Sequence, residues 1–91
     1  MKTLDVNAKE WFDRINGNSY FSAEIVVNYG MEDSQTIKLP FQYGYGDSYQ
    51  YEAMNELNKQ GLTDKKYIHD LRNDGIIIRT NIQRNCRKRD L

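Results

Sequence analysis

The first half of the chain alternates between apolar and polar positions. In "SYFSAEIVVNY", Phe21, Ala23, Ile25, Val27 and Tyr29 fall on one face, with Ser22, Glu24 and Asn28 on the other. Period-two alternation rich in β-branched and aromatic residues predicts a half-buried strand. Upstream, Leu4, Val6, Ala8 and Phe12 share a parity that Glu10 interrupts. This predicts a first strand with a bulge near Glu10–Trp11. Such a bulge would turn Trp11 into the core, which is the favoured expectation. Without it, Trp11 would stand exposed beside Tyr20 as an aromatic patch and a surface for self-association. Between the strands, Asn16-Gly17 suits the positive φ angles of a two-residue type I′ turn, giving an antiparallel hairpin.

After a turn at "YGMEDSQ", the segment "QTIKLPF" places Ile37, Leu39 and Phe41 on one face of a third strand. Pro40 lacks a ladder donor and so belongs at an edge or a strand end. The period then changes. Asp47 and Gln50 have capping-box spacing, and helix formers fill Ser48 to Gln60, with Ala53, Met54 and Leu57 on the stripe facing the sheet. Gly61 and Leu62 are placed for a Schellman stop against Leu57. A second, short helix is predicted from an N-cap at Thr63, with Tyr67, Ile68 and Leu71 on one face and an end at Asn73-Asp74-Gly75. "GIIIRTNI" reads as a fourth strand, and its three isoleucines predict a central position buried on both faces. The expectation is one α+β domain over residues 1–83: an antiparallel four-stranded sheet in the order β-β-β-α-α-β, with both helices packed on one face. Residues 84–91 form a basic C-terminal tail expected to project or fray.

Composition narrows the function. The 13 basic and 13 acidic residues cancel, which argues against a general polyanion binder. The balance is uneven, however. Residues 1–60 hold five Lys/Arg against nine Asp/Glu, and residues 61–91 hold eight against four. The two parts can attract each other within one molecule or head to tail between molecules. Cys86 is the only cysteine, so no internal disulfide can form. "MKTLDVNAKEW" lacks the apolar stretch of a secretory signal, and no run approaches a membrane span. A cytoplasmic protein is expected.

Candidate chemistry is sparse. His69 is the only histidine, and a pairing with Cys86 as base and nucleophile would lack an orienting third group. No familiar zinc set, P-loop, dinucleotide fingerprint or Gly-x-Ser-x-Gly occurs. The reading is of a non-enzymatic protein with no catalytic residue, metal or cofactor. Two binding surfaces stand out. The first is the strand-to-helix corner "PFQYGYGDSYQYEA", with Tyr43, Tyr45, Tyr49 and Tyr51 as partner contacts and Gly44 and Gly46 shaping the turn. Tyrosine offers rigid area with a polar tip, which suits a protein interface. Asp47 already occupies the positive helix end, which disfavours an anion there. The second is the basic end of the chain, where Arg79, Arg84, Arg87, Lys88 and Arg89 could neutralise phosphates while tyrosines stack on bases.

The segments "GNSYFSAEIVVNYG" and "LPFQYGYGDSYQYEAMNELNKQG" resemble short proteins of bacteriophages and prophages that carry a similar "GNSYFS" strand and "PFQYGYG" turn ahead of a helix. The resemblance spans roughly residues 11–78 and brings no known activity or site residue with it. It implies a context: an accessory protein in a bacterial cytoplasm that binds a host or defence protein, or sequesters a small signal. The leading expectation is therefore protein binding at the tyrosine corner, with homo-oligomerisation open. Nucleic-acid or nucleotide binding by the tail is the alternative.

Overall fold

The computed structural model describes all 91 residues. Two long strands, β1 (Thr3–Asp13) and β2 (Asn18–Val27), form the predicted hairpin, and β3 (Gln35–Tyr43) adds to β2. Helices α1 (Ser48–Lys59) and α2 (Ile68–Asn73) follow, then β4 (Ile77–Gln83) and a final turn of 3-10 helix, Lys88–Asp90. The class is α+β and the element order is as expected. The sheet is mixed rather than purely antiparallel. Its order is β3-β2-β1-β4, and β4 lies parallel to β1. The reason is geometric. β3 and β4 point the same way on opposite edges, so the chain must return the length of the sheet between them. The two helices make that return, and a parallel pair requires such a crossover.

The core lies between the helices and one face of the sheet. Leu4, Val6 and Ala8 of β1, Phe21, Ala23, Ile25 and Val27 of β2, and Ile37 and Leu39 of β3 meet Tyr49, Ala53, Met54 and Leu57 of α1 and Ile68 and Leu71 of α2. α1 stops as its sequence predicts. Gly61 takes φ +73°, its N–H donates to Asn58 O, and the Leu62 N–H donates to Leu57 O. α2 repeats the device, with Gly75 at φ +84° and the Ile76 N–H donating to Leu71 O.

Several local expectations are corrected. β1 has no bulge, since its pairing with β2 runs unbroken from Leu4–Val27 to Asp13–Asn18. Glu10 therefore sits on the core face, buried, with Arg84 at 3.7 Å. The hairpin turn is a four-residue loop, Arg14–Gly17, rather than a two-residue one: Asp13 accepts from the backbone of Ile15, Asn16 and Gly17. Asp47 caps α1 without a side-chain bond, so the capping box does not form, and the cap of α2 is Tyr67, not Thr63. Tyr29 is exposed beyond the end of β2. β4 is an edge strand. Its three isoleucines serve three ends: Ile76 closes the α2 stop, Ile77 is exposed on the outer face, and Ile78 packs on the core. The tail does not project. The Cys86 N–H donates to Glu10 O at 2.9 Å, and the last residues fold over the outer face of the sheet.

Candidate functional site

The outer face of the sheet carries no helix, and one end of it is aromatic. Trp11 of β1 and Tyr20 of β2 are direct cross-strand partners, and Tyr20 is in turn opposite Tyr43 of β3. Phe41 joins them through a bulge in β3. Between the pairs Ala23–Leu39 and Phe21–Gln42, β3 spends two residues, Pro40 and Phe41, against Ser22 alone. The extra residue reverses the parity, so Phe41 faces outward instead of finishing the core. Pro40 fits there because a bulge on an edge strand needs no donor.

The rings pack on one another. Trp11 and Tyr20 stack at 5.5 Å, Tyr20 and Phe41 at 5.0 Å with planes 10° apart, and Tyr43 meets Tyr20 edge-on at 5.8 Å. Trp11 and Tyr20 are half-buried, while Phe41 and Tyr43 are 41% and 62% exposed. The tail completes the patch. The Lys88 ammonium lies 5.5 Å from the centre of the Trp11 ring and 6.0 Å from that of Phe41. Beside it, a shallow depression of about 400 Å³ is bounded by Lys9, Lys38, Phe41 and the terminal Asp90 and Leu91.

The tyrosine corner, by contrast, is divided. Tyr49 is buried, 4% exposed, and is no surface contact: the first turn of α1 directs it into the core. Tyr43 belongs to the outer-face cluster. Tyr51 lies in a groove between the helices with Tyr67, His69 and Arg72. Tyr45 is exposed alone at the turn, where the Ser48 hydroxyl donates to its carbonyl. Gly44 and Gly46 do shape the corner. A Cβ on Gly44 would fall 2.6 Å from Phe21 Cε1, and Gly46 has φ +58°.

The basic residues divide similarly. Arg79 is held by Asp5 in a two-pronged pair, at 2.6 and 2.9 Å. Arg84 faces Glu10, Lys88 covers the rings, and Arg87 and Arg89 are exposed. His69 stacks on Tyr67 at 5.4 Å, and Cys86 lines a separate depression beside Trp11. No three His, Cys, Asp or Glu side chains gather into a set for a metal ion. No helix is long and apolar enough to cross a membrane.

The favoured expectation, a bulge in β1 that buries Trp11, gives way to its alternative: the unbroken register sets Trp11 outward beside Tyr20 as an aromatic patch. The addition of Phe41 is not legible from the parity of Ile37, Leu39 and Phe41, because it comes from the bulge in β3. Comparison of the chain with protein-family models, with curated proteins and with solved structures finds no match.

Proposed function

We propose that the chain is a non-enzymatic binding protein that takes a protein partner on the aromatic end of its outer sheet face, with the basic tail as the rim. The observation that carries this reading is the Trp11–Tyr20–Phe41–Tyr43 cluster, open to solvent on a face that no helix covers. Clustered aromatic side chains with a nearby cation match the anchors of protein interfaces, where a few Trp, Tyr and Arg residues dominate the binding energy. The surface thus moves from the tyrosine corner to the neighbouring sheet face, with Tyr43 common to both. The resemblance to phage and prophage proteins points to a bacterial host or defence protein as the partner.

A second reading, single-stranded nucleic acid, draws on the four basic residues Arg84, Arg87, Lys88 and Arg89 beside aromatic rings. The ring geometry favours the first. Base stacking needs open ring faces, and here Tyr20 packs at 5.5 Å from Trp11 and 5.0 Å from Phe41 while the Lys88 ammonium lies over the Trp11 and Phe41 rings.

The test is affinity capture from bacterial lysate at low and high salt, with and without nuclease. A protein retained by the wild-type chain after nuclease and high salt, lost with Phe41→Ala/Tyr43→Ala and kept with Tyr45→Ala/Tyr51→Ala, supports the reading. Loss only with the Tyr45/Tyr51 pair would return the site to the corner. Nucleic acid recovered only at low salt would favour the second reading.

A further inference from the structure

The two edges of the sheet are guarded differently. The free edge of β3 carries Pro40, a bulge and Lys38, three devices that discourage another strand from pairing there. The free edge of β4 carries none of them. β4 runs Ile-Ile-Arg-Thr-Asn-Ile-Gln without proline, glycine or bulge. Its one charge, Arg79, is turned back onto Asp5 of its own sheet. The backbone groups left over can be named. The Ile77 N–H donates to Lys2 O, so Ile77, Arg79, Asn81 and Gln83 address β1. Alternation then leaves the N–H and C=O of Ile78, Thr80 and Ile82 pointing into the open edge.

We infer that a second copy of this chain pairs there, β4 against β4, antiparallel about a twofold axis through Thr80. The register follows from the residues. Only edge-facing residues can form hydrogen-bonded pairs, and centring on Thr80 uses all three: Thr80 opposite Thr80, and Ile78 opposite Ile82 twice. Ile78 and Ile82 are the partly exposed members of the core on this strand, and each would cover the other across the axis. On the outer face Arg79 would lie opposite Asn81, and Ile77 opposite Gln83. A centre at Arg79 instead sets two guanidiniums directly opposite, which disfavours pairing. A centre at Asn81 loses a hydrogen-bonded pair and sets Ile78 against Arg84, outside the strand. The chosen register is the one that satisfies every edge group without opposing like charges. It joins the sheets into eight continuous strands, β3-β2-β1-β4-β4-β1-β2-β3, whose remaining edges are the guarded ones. The axis stands perpendicular to the sheet, so both aromatic clusters face the same side. A dimer of this kind is bivalent, and a partner with two sites gains avidity from it.

The test is light scattering on a sizing column over a concentration series, with amide exchange read at β4. The wild-type chain is expected to approach twice its mass of 10.8 kDa as concentration rises, with the Ile78, Thr80 and Ile82 amides gaining protection together. Asn81 is exposed, so its variants keep the fold. Asn81→Arg sets like charges opposite Arg79 twice and should weaken the dimer by about tenfold, while Asn81→Asp should tighten it. Thr80→Pro removes a donor that β1 does not use and should leave a monomer. If Thr80→Pro unfolds the chain, the two Asn81 variants and the exchange data still decide. A monomer at every concentration, or a dimer indifferent to both Asn81 charges, would overturn the inference.

Discussion

The ammonium of Lys88 lies 5.5 Å from the centre of the Trp11 ring, seventy-seven residues away in sequence. The contact fastens the basic tail to the aromatic end of the sheet and makes one surface of two features that look unrelated in the sequence. Trp11 is the only tryptophan, so its fluorescence reports on this contact directly. Lys88→Gln should shift Trp11 emission to longer wavelength as water reaches the ring, and should cost about 0.5–1 kcal/mol of stability, the scale of an exposed cation–π contact. An unchanged spectrum in both Lys88→Gln and a chain cut after Gln83 would mean that the tail does not rest on the cluster.

Glu10 and Arg84 make a second tie between tail and sheet. The Glu10 side chain is 11% exposed on the core face, and the guanidinium 3.7 Å away is its cationic partner. Removing Arg84 leaves a mostly buried carboxylate unpaired, whereas removing the carboxylate in favour of an apolar group does not. Arg84→Ala should therefore destabilise the protein by about 1–2 kcal/mol. Glu10→Leu, which completes the apolar stripe of Leu4, Val6 and Ala8, should be neutral or stabilising. Chemical denaturation measures both, and the opposite ranking would show that the pair contributes net stability.

Gly44 is required by contact and Gly46 by backbone conformation. A Cβ on Gly44 would meet Phe21 Cε1 at 2.6 Å and Ser48 Cβ at 3.0 Å. Because Phe21 is buried, it has little room to move. Gly44→Ala should cost about 1–3 kcal/mol by overpacking. Gly46→Ala meets no atom within 4 Å and should cost about 1–2 kcal/mol from its left-handed φ alone. Thermal melts check both. A neutral Gly44→Ala would mean that β3 can lift away from Phe21.

The Arg14–Gly17 loop gives the chain an acid-sensitive element. The Asp13 carboxylate accepts from the Asn16 side-chain amide at 2.8 Å and from the backbone N–H of Ile15 and Asn16. The Asn16 amide foremost holds its pKa below the ordinary 3.8. A lowered pKa means that the unfolded chain takes up the proton first. The loop's contribution is then present above pH 3.8 and is lost as pH falls through the lower folded value. Urea midpoints followed from about pH 5 to about pH 2.5 should fall less steeply in Asp13→Asn than in the wild type. Identical acid limbs would contradict this.

What the sequence made legible was local. The strand over Phe21–Val27, the helix from Ser48 and its Gly61–Leu62 stop follow from period and cap chemistry within a few residues. What it hid depends on partners. The outward turn of Phe41 comes from a bulge seen only once β3 is in register with β2. The edge position of β4 comes from the route of the two helices. Ile76-Ile77-Ile78 could not reveal it, because an apolar run signals burial but not which neighbour supplies it. Tyr49 and Tyr51 look equivalent in the sequence, yet two residues along α1 separate a core face from a solvent face.

The most direct test of the aromatic surface is site-specific photo-crosslinking in bacterial lysate, with a benzophenone side chain placed in turn at Tyr43, Tyr45 and Tyr51. Binding on the outer sheet face predicts one protein adduct from position 43 that dominates those from 45 and 51. Phe41→Ala should abolish it, and nuclease should leave it unchanged. An adduct formed from position 51, or from 45, with none from position 43 would contradict the account and place the partner on the helices or at the corner.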